Sequence, residues 1–192
     1  LESPMNDSIT IAAGLAREYE GLRLKPYICP AGYWTIGYGN RCLADGAAVT
    51  ARTPAITAVQ AAALLMQTLS GLRIKLRQLV HVALTPNKEG ALLDWQFNLG
   101  TSAIAGSSLI RLLNCGQDIA AGEQLLLWDH AHKNGHLITL PGLTARRHAE
   151  WLVYTGASSG HVPAAPSPST PPSTPTTDQL NRSELARVKE DA

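Results

Sequence analysis

Apolar residues recur at helical spacing over residues 8–20. Ile9, Ile11, Ala12, Leu15, Ala16 and Tyr19 mark one face, and Gly21 follows as a stop. The pattern then breaks. Between residues 22 and 52, glycines and prolines divide the chain into short runs, of which 33–38 reads as a strand of a small sheet. Helical periodicity resumes at Thr57, where Gln60 completes a capping box three residues on. Thr85 and Pro86 form the cap and first-turn proline of a further helix that ends at Gly100. Three more helices are expected over 107–114, 118–131 and 144–155, with Gly116 and Gly156 as stops. The order predicts an α+β domain: an N-terminal helix and a small antiparallel sheet, joined by a long helix to a mostly helical lobe. A cleft between two such lobes is a natural place for a polymer.

Composition changes this picture at both ends of the chain. Residues 157–177 hold six of the twelve prolines and no apolar periodicity, and the last fifteen residues are polar and charged. Such a stretch buries too little surface to offset its ordering entropy. Residues 157–192 are therefore expected to form a flexible tail, with a docking peptide as the alternative. Residues 1–4 precede Met5 and are read as an expression scar, which leaves 5–156 as the domain.

Apolar residues make up 45% of the chain, enough to fill a core, and the net charge of +1 carries no electrostatic footprint of nucleic-acid binding. No segment nears the roughly 18 apolar residues of a membrane span, and no signal peptide is legible. Cys29, Cys42 and Cys115 fit no zinc spacing, and their odd number is no disulfide framework, though a single Cys29–Cys42 bridge stays open. His130, His132 and His136 are read as solvated rather than metal-binding. Gly37-Tyr38-Gly39 lacks the helix and lysine of a phosphate loop. No metal and no cofactor is expected.

The candidate chemistry lies at the end of the first helix. Glu20 falls in its last turn, where the partly negative helix end disfavours a carboxylate, the condition a general acid needs. Cys29 follows in a turn and Thr35 in the strand, after Trp34. Taken singly these residues have plain readings: a solvated acid, a small buried hydrophobe and an ordinary strand residue. Trp95, Trp128 and Trp151 lie on helices and are assigned to the core. Arg146 and Arg147 open the last helix, where their charge is unfavourable. An ion pair with Glu18 or Glu20 is weighed against a solvated pair.

The run from Glu20 through GLRLKPY to Cys29, and through GYWTIGYG past Thr35, resembles the active-site signature of the phage-type lysozymes, glycoside hydrolase family 24. That signature is a Glu, eight residues, Asp or in some members Cys, five residues, then Thr. Segments 95–100, 108–114 and 140–147 resemble the helical lobe of the same family, and the likeness spans roughly residues 6–156. It implies a lysozyme fold and hydrolysis of the β-1,4 bond between N-acetylmuramic acid and N-acetylglucosamine. Glu20 would be the proton donor, Cys29 the assisting group across the bond, and Thr35 the residue that positions water. Trp34, Asn98 and Tyr27 would touch sugar. An inverting mechanism needs room for water, about 6.5–9.5 Å between carboxyl groups in the two-carboxylate scheme. Cysteine in place of the commoner Asp makes a weaker base at neutral pH.

The setting implied is an endolysin. It would be a monomer without stable membrane insertion, held in the host cytoplasm until a separate pore (holin) opens and then acting on peptidoglycan in the periplasm. Two alternatives are a lysozyme module of a secreted effector or tail spike, and a catalytically dead peptidoglycan-binding protein.

Overall fold

A computed structural model describes residues 7–29, 32–133 and 136–157; of His132, Lys133 and His136 it describes the backbone only. The expected scar (1–4) and all but the first residue of the expected tail (157–192) lie outside these residues.

The first helix, α1, spans Ser8–Glu20 and ends at Gly21. Strands β1 (Arg23–Ile28) and β2 (Trp34–Gly37) follow and pair antiparallel, with Tyr27 opposite Thr35 and an irregularity between Arg23 and Tyr27. The pairing partner β1 went unread in the sequence, because Pro26 interrupts a largely exposed run. Helix α2 (Ala58–Leu79) leaves this lobe. Its 22 residues correspond to about 33 Å at 1.5 Å per residue, and its capping box is formed as the sequence predicts, with Thr57 and Gln60 bonded in both directions.

Helix α3 (Pro86–Leu99) is the axis of the helical lobe. Thr85 caps it, and Gly100 ends it. It is buried on nearly every side, as a helix at the centre of a bundle must be, so polar residues along it need partners inside the protein. Gly90 lets α1 approach: a Cβ there would stand 2.6 Å from the Ile11 side chain. Helices α4 (Thr101–Ala105), α5 (Ser108–Asn114), α6 (Asp118–Glu123) and α7 (Pro141–Thr155) complete the lobe.

Two expectations change here. The helix read over 118–131 stops at Glu123. It gives way to a 3-10 turn over Gln124–Leu127, and then to a hairpin of β3 (His130–Lys133) and β4 (His136–Thr139). The last helix starts at Pro141, so Arg146 and Arg147 lie in its second turn rather than opening it.

The main core gathers α1, α2, α3, α5 and α7 around Trp95, Leu92, Leu93 and Leu109, with Trp128 and Trp151 inside it as expected. A small second cluster of Ile36, Val49 and Leu64 anchors the sheet to α2. This is the α+β lysozyme-like architecture that the sequence predicts. Among the described residues no helix is long and apolar enough to cross a membrane.

Candidate active site

The loop after β2 places the sheet lobe against the helical lobe. Ile36 and Asn40 exchange backbone hydrogen bonds at 2.9 Å, closing a tight turn whose Gly39 has φ +89°, a conformation that favours glycine. That turn brings the backbone to Glu20. A Cβ at Gly39 would lie 3.8 Å from the Glu20 Oε2. Tyr38 and Gly39 of the Gly-Tyr-Gly run, dismissed as a phosphate loop, thus line a cleft.

The cleft has a volume of about 570 Å³. Tyr38 to Leu43 line one side, α2 lends Gln67, Thr68 and Lys75, and α3 lends Gln96 to Leu99. Glu20 is the carboxylate among the lining residues. Asn98 faces the same space. It is only 7% exposed, and neither its Nδ2 nor its Oδ1 has a hydrogen-bond partner among the described residues. A buried amide with both ends unspent is a site for a polar ligand or water.

Glu20 is held from behind. Arg146 donates from Nη1 to its Oε1 at 2.7 Å, and the Glu20 side chain is 5% exposed. Arg146 is itself wholly buried. Its Nε and Nη2 donate to the two oxygens of Asp94 at 2.9 and 2.8 Å, and Glu150 lies 3.6 Å from Nε. Burial works against the Arg146 charge, but Asp94 and Glu20 outweigh it and hold the guanidinium firmly protonated. Arg147 does not reach Glu20; it donates to Glu150 at 2.6 Å within α7. Burial, reinforced by the Asp94 carboxylate, raises the Glu150 pKa well above the ordinary carboxylate range. Glu18, the other acid weighed as a partner, is exposed.

The remaining sequence candidates sit deeper in the sheet lobe. Thr35 is fully buried, and its hydroxyl donates to the Tyr27 carbonyl at 3.2 Å. Cys29 is 1% exposed and its backbone N–H donates to Tyr33 at 2.9 Å, which continues the ladder beyond β1. Strand alternation puts Tyr27, Cys29 and Thr35 on one face. Neither Cys29 nor Thr35 is among the residues lining the cleft, and Trp34 packs half-buried on the small core cluster instead. All three thiols are free, so the bridge left open between Cys29 and Cys42 is not formed; Cys42 lies exposed on the cleft wall. Of the three histidines, His130 contacts Asp129 at 2.6 Å and Thr139 at 3.2 Å, and the side chains of the other two lie outside the described residues.

Sequence reasoning missed Asp94 and Glu150. The available signal was polar: α3 carries Glu89, Asp94, Gln96 and Asn98 within a stretch that is otherwise core.

The molecule is thus a two-lobed α+β protein with an arginine-held carboxylate among the residues that line its cleft. The comparisons give the family. The phage lysozyme family model matches residues 17–150. The chain is 37% identical over 146 residues to an endolysin of Acyrthosiphon pisum secondary endosymbiont phage 1, covering 74% of this chain and 94% of that one. It is 40% identical over 124 residues to an endolysin of Salmonella phage P22, with coverages of 65% and 84%. Among solved structures, the muramidase domain of SpmX from Asticaccaulis excentricus aligns with a TM-score of 0.64 at 33% identity, over 74% of this chain and 93% of that one. An endolysin from Escherichia coli O157:H7 phage FAHEc1 aligns with a TM-score of 0.68 at 28% identity, over 80% and 94%. The chain belongs to the phage lysozyme family and is a peptidoglycan-degrading lysozyme, a hydrolase.

Proposed function

We propose that this lysozyme hydrolyses the β-1,4 bond between N-acetylmuramic acid and N-acetylglucosamine, with Glu20 as general acid. The observation that carries the reading is the division of labour within one carboxyl group. Oε1 is fixed by Arg146, so the group cannot turn away, while Oε2 lies beside Gly39 at the cleft. A proton on Oε2 is then presented to a glycosidic oxygen as the sugar gains oxocarbenium character. Asn98 supplies a donor and an acceptor to sugar groups in the same cleft.

Water attacks from the other side of the bond. We assign its positioning to Thr35, whose hydroxyl oxygen retains accepting capacity beyond the bond it donates to Tyr27. Cys29 assists in place of the commoner carboxylate. The reading of Cys29 and Thr35 is supported by their spacing from Glu20 and by their common face on the strands. Mass spectrometry of digested peptidoglycan tests the reaction class. New reducing N-acetylmuramic acid ends are expected; anhydro-muramic ends would make the enzyme a lytic transglycosylase.

A further inference from the structure

Arg146 sits 2.7 Å from the proposed proton donor, which poses a problem. A guanidinium in a dry site favours the carboxylate form of its neighbour, and an opposite charge at such range commonly lowers a carboxyl pKa by about 1–3 units. Unopposed, such a charge works against the role of a proton donor. Asp94 resolves the conflict. It is 0% exposed, it accepts from Arg146 through both oxygens, and it reaches that residue from α3, whereas Glu20 reaches it from α1. A bidentate carboxylate is the strongest counter-charge a guanidinium can take.

We propose that Asp94 is a positioning residue for the reaction. It cancels most of the Arg146 charge, so that Arg146 orients Glu20 without stripping its proton. The proposal rests on the reading of Glu20 as proton donor.

The other charged and titratable groups around Glu20 do not replace Asp94. On α7, Glu150 lies 3.6 Å from Arg146 but takes the closer contact with Arg147 at 2.6 Å. On α1, Glu18 is exposed, and Tyr19 spends its hydroxyl on the Ala145 carbonyl. Across the cleft, Lys75 of α2, and Arg41, Tyr38 and Cys42 of the sheet lobe, line the same space. The two cations among them are Lys75 and Arg41, and neither is an ion-pair partner of Glu20 among the described residues.

The test is the pH dependence of kcat/KM for reducing-end release from solubilised glycan strands, using the full chain with Asp94→Asn. The amide keeps the shape and removes the charge. The uncancelled Arg146 then favours ionised Glu20, so the alkaline limb moves down by about one pH unit. Activity on that limb falls about tenfold, and it returns to within about threefold of wild type at the acid end. KM stays within about twofold. A loss equal at every pH, or an unmoved limb, overturns the proposal and assigns Asp94 to structure. Should Asp94→Asn fail to fold, the double variant Asp94→Asn with Arg146→Gln removes both charges together. Its limb is expected within about half a unit of wild type. A rise of more than about one unit would show that the Arg146 charge was never cancelled, and would overturn the proposal as well. Failure of the underlying reading has a different signature, a Glu20→Gln protein that still releases reducing ends.

Discussion

Glu89 and Glu20 are two of the buried carboxylates that an arginine holds, and of this pair only Glu20 lines the cleft. Glu89 accepts from Arg77 at 2.6 and 3.0 Å and from the Ser8 hydroxyl, so both of its oxygens are spent. Glu20 spends Oε1 on Arg146 and leaves Oε2 at the cleft. The first arrangement ties α1, α2 and α3 together. The second holds an acid in one orientation while leaving it something to do. What separates the proposed proton donor from the structural carboxylate here is therefore not burial or the presence of a cation. It is a carboxyl oxygen that lies at the cleft with no hydrogen-bond partner among the described residues.

The sharpest way to extend that comparison is through Cys29. If the thiol assists water attack, Cys29→Ala should fold normally and lose activity by about 10²-fold, the low end of what a positioned base contributes. Cys29→Asp should remain active. Because a thiol ordinarily loses its proton about four pH units above a carboxylate, the Asp variant should reach its optimum at lower pH than wild type. A fully active Cys29→Ala enzyme would make Cys29 structural and leave Glu20 and Thr35 as the assigned pair.

Glu89→Gln addresses the other side of the comparison. The amide cannot satisfy Arg77 and Ser8 as the carboxylate does, so thermal stability should fall by about 1–3 kcal/mol while activity per folded molecule is kept. Although burial raises the proton affinity of Glu89, Arg77 and Ser8 outweigh it and hold its pKa below the ordinary value. Its contribution is thus present above the unfolded-state pKa of about 4.3 and lost as pH falls through the lower folded value. The stability gap between wild type and Glu89→Gln should therefore narrow in acid. A gap independent of pH would mean that the charge on Glu89 does not matter. The smallest effect is expected from deleting residues 157–192. That segment has few apolar residues to bury, and removing it should leave both melting temperature and lysis of permeabilised cells nearly unchanged. Loss of lysis without loss of stability would identify it as a docking element.

Much of the fold was legible because helix starts are written locally. The Thr57–Gln60 box and the Thr85–Pro86 start need only neighbouring residues, and both stand where the sequence puts them. The misreading of 118–131 has a local cause as well. Leu125-Leu126-Leu127-Trp128 continues a helical apolar pattern, and periodicity does not distinguish an α-helix from a 3-10 turn over four residues. The better signal was the Asn134-Gly135 dipeptide between two short alternating runs, a strong hairpin mark. The cleft was legible only in part. Glu20 lines it and was read from the sequence, whereas Cys29 and Thr35, spanned by the same family signature within sixteen residues, are not among its lining residues. Asp94 and Glu150 lie against Arg146, and the contact between Arg146 and Glu20 joins residues 126 apart. No local pattern announces such a meeting. An acid on an all-buried helix is the one trace it leaves.

The measurement that tests the central claim most directly is the rate of reducing-end release from purified peptidoglycan by Glu20→Gln, made beside its melting temperature. The amide can still accept from Arg146 but has no proton to give to the leaving oxygen. The account predicts a folded protein, melting close to wild type, whose rate is lower by about 10²–10⁴-fold. A well-folded Glu20→Gln protein working at near the wild-type rate would contradict it.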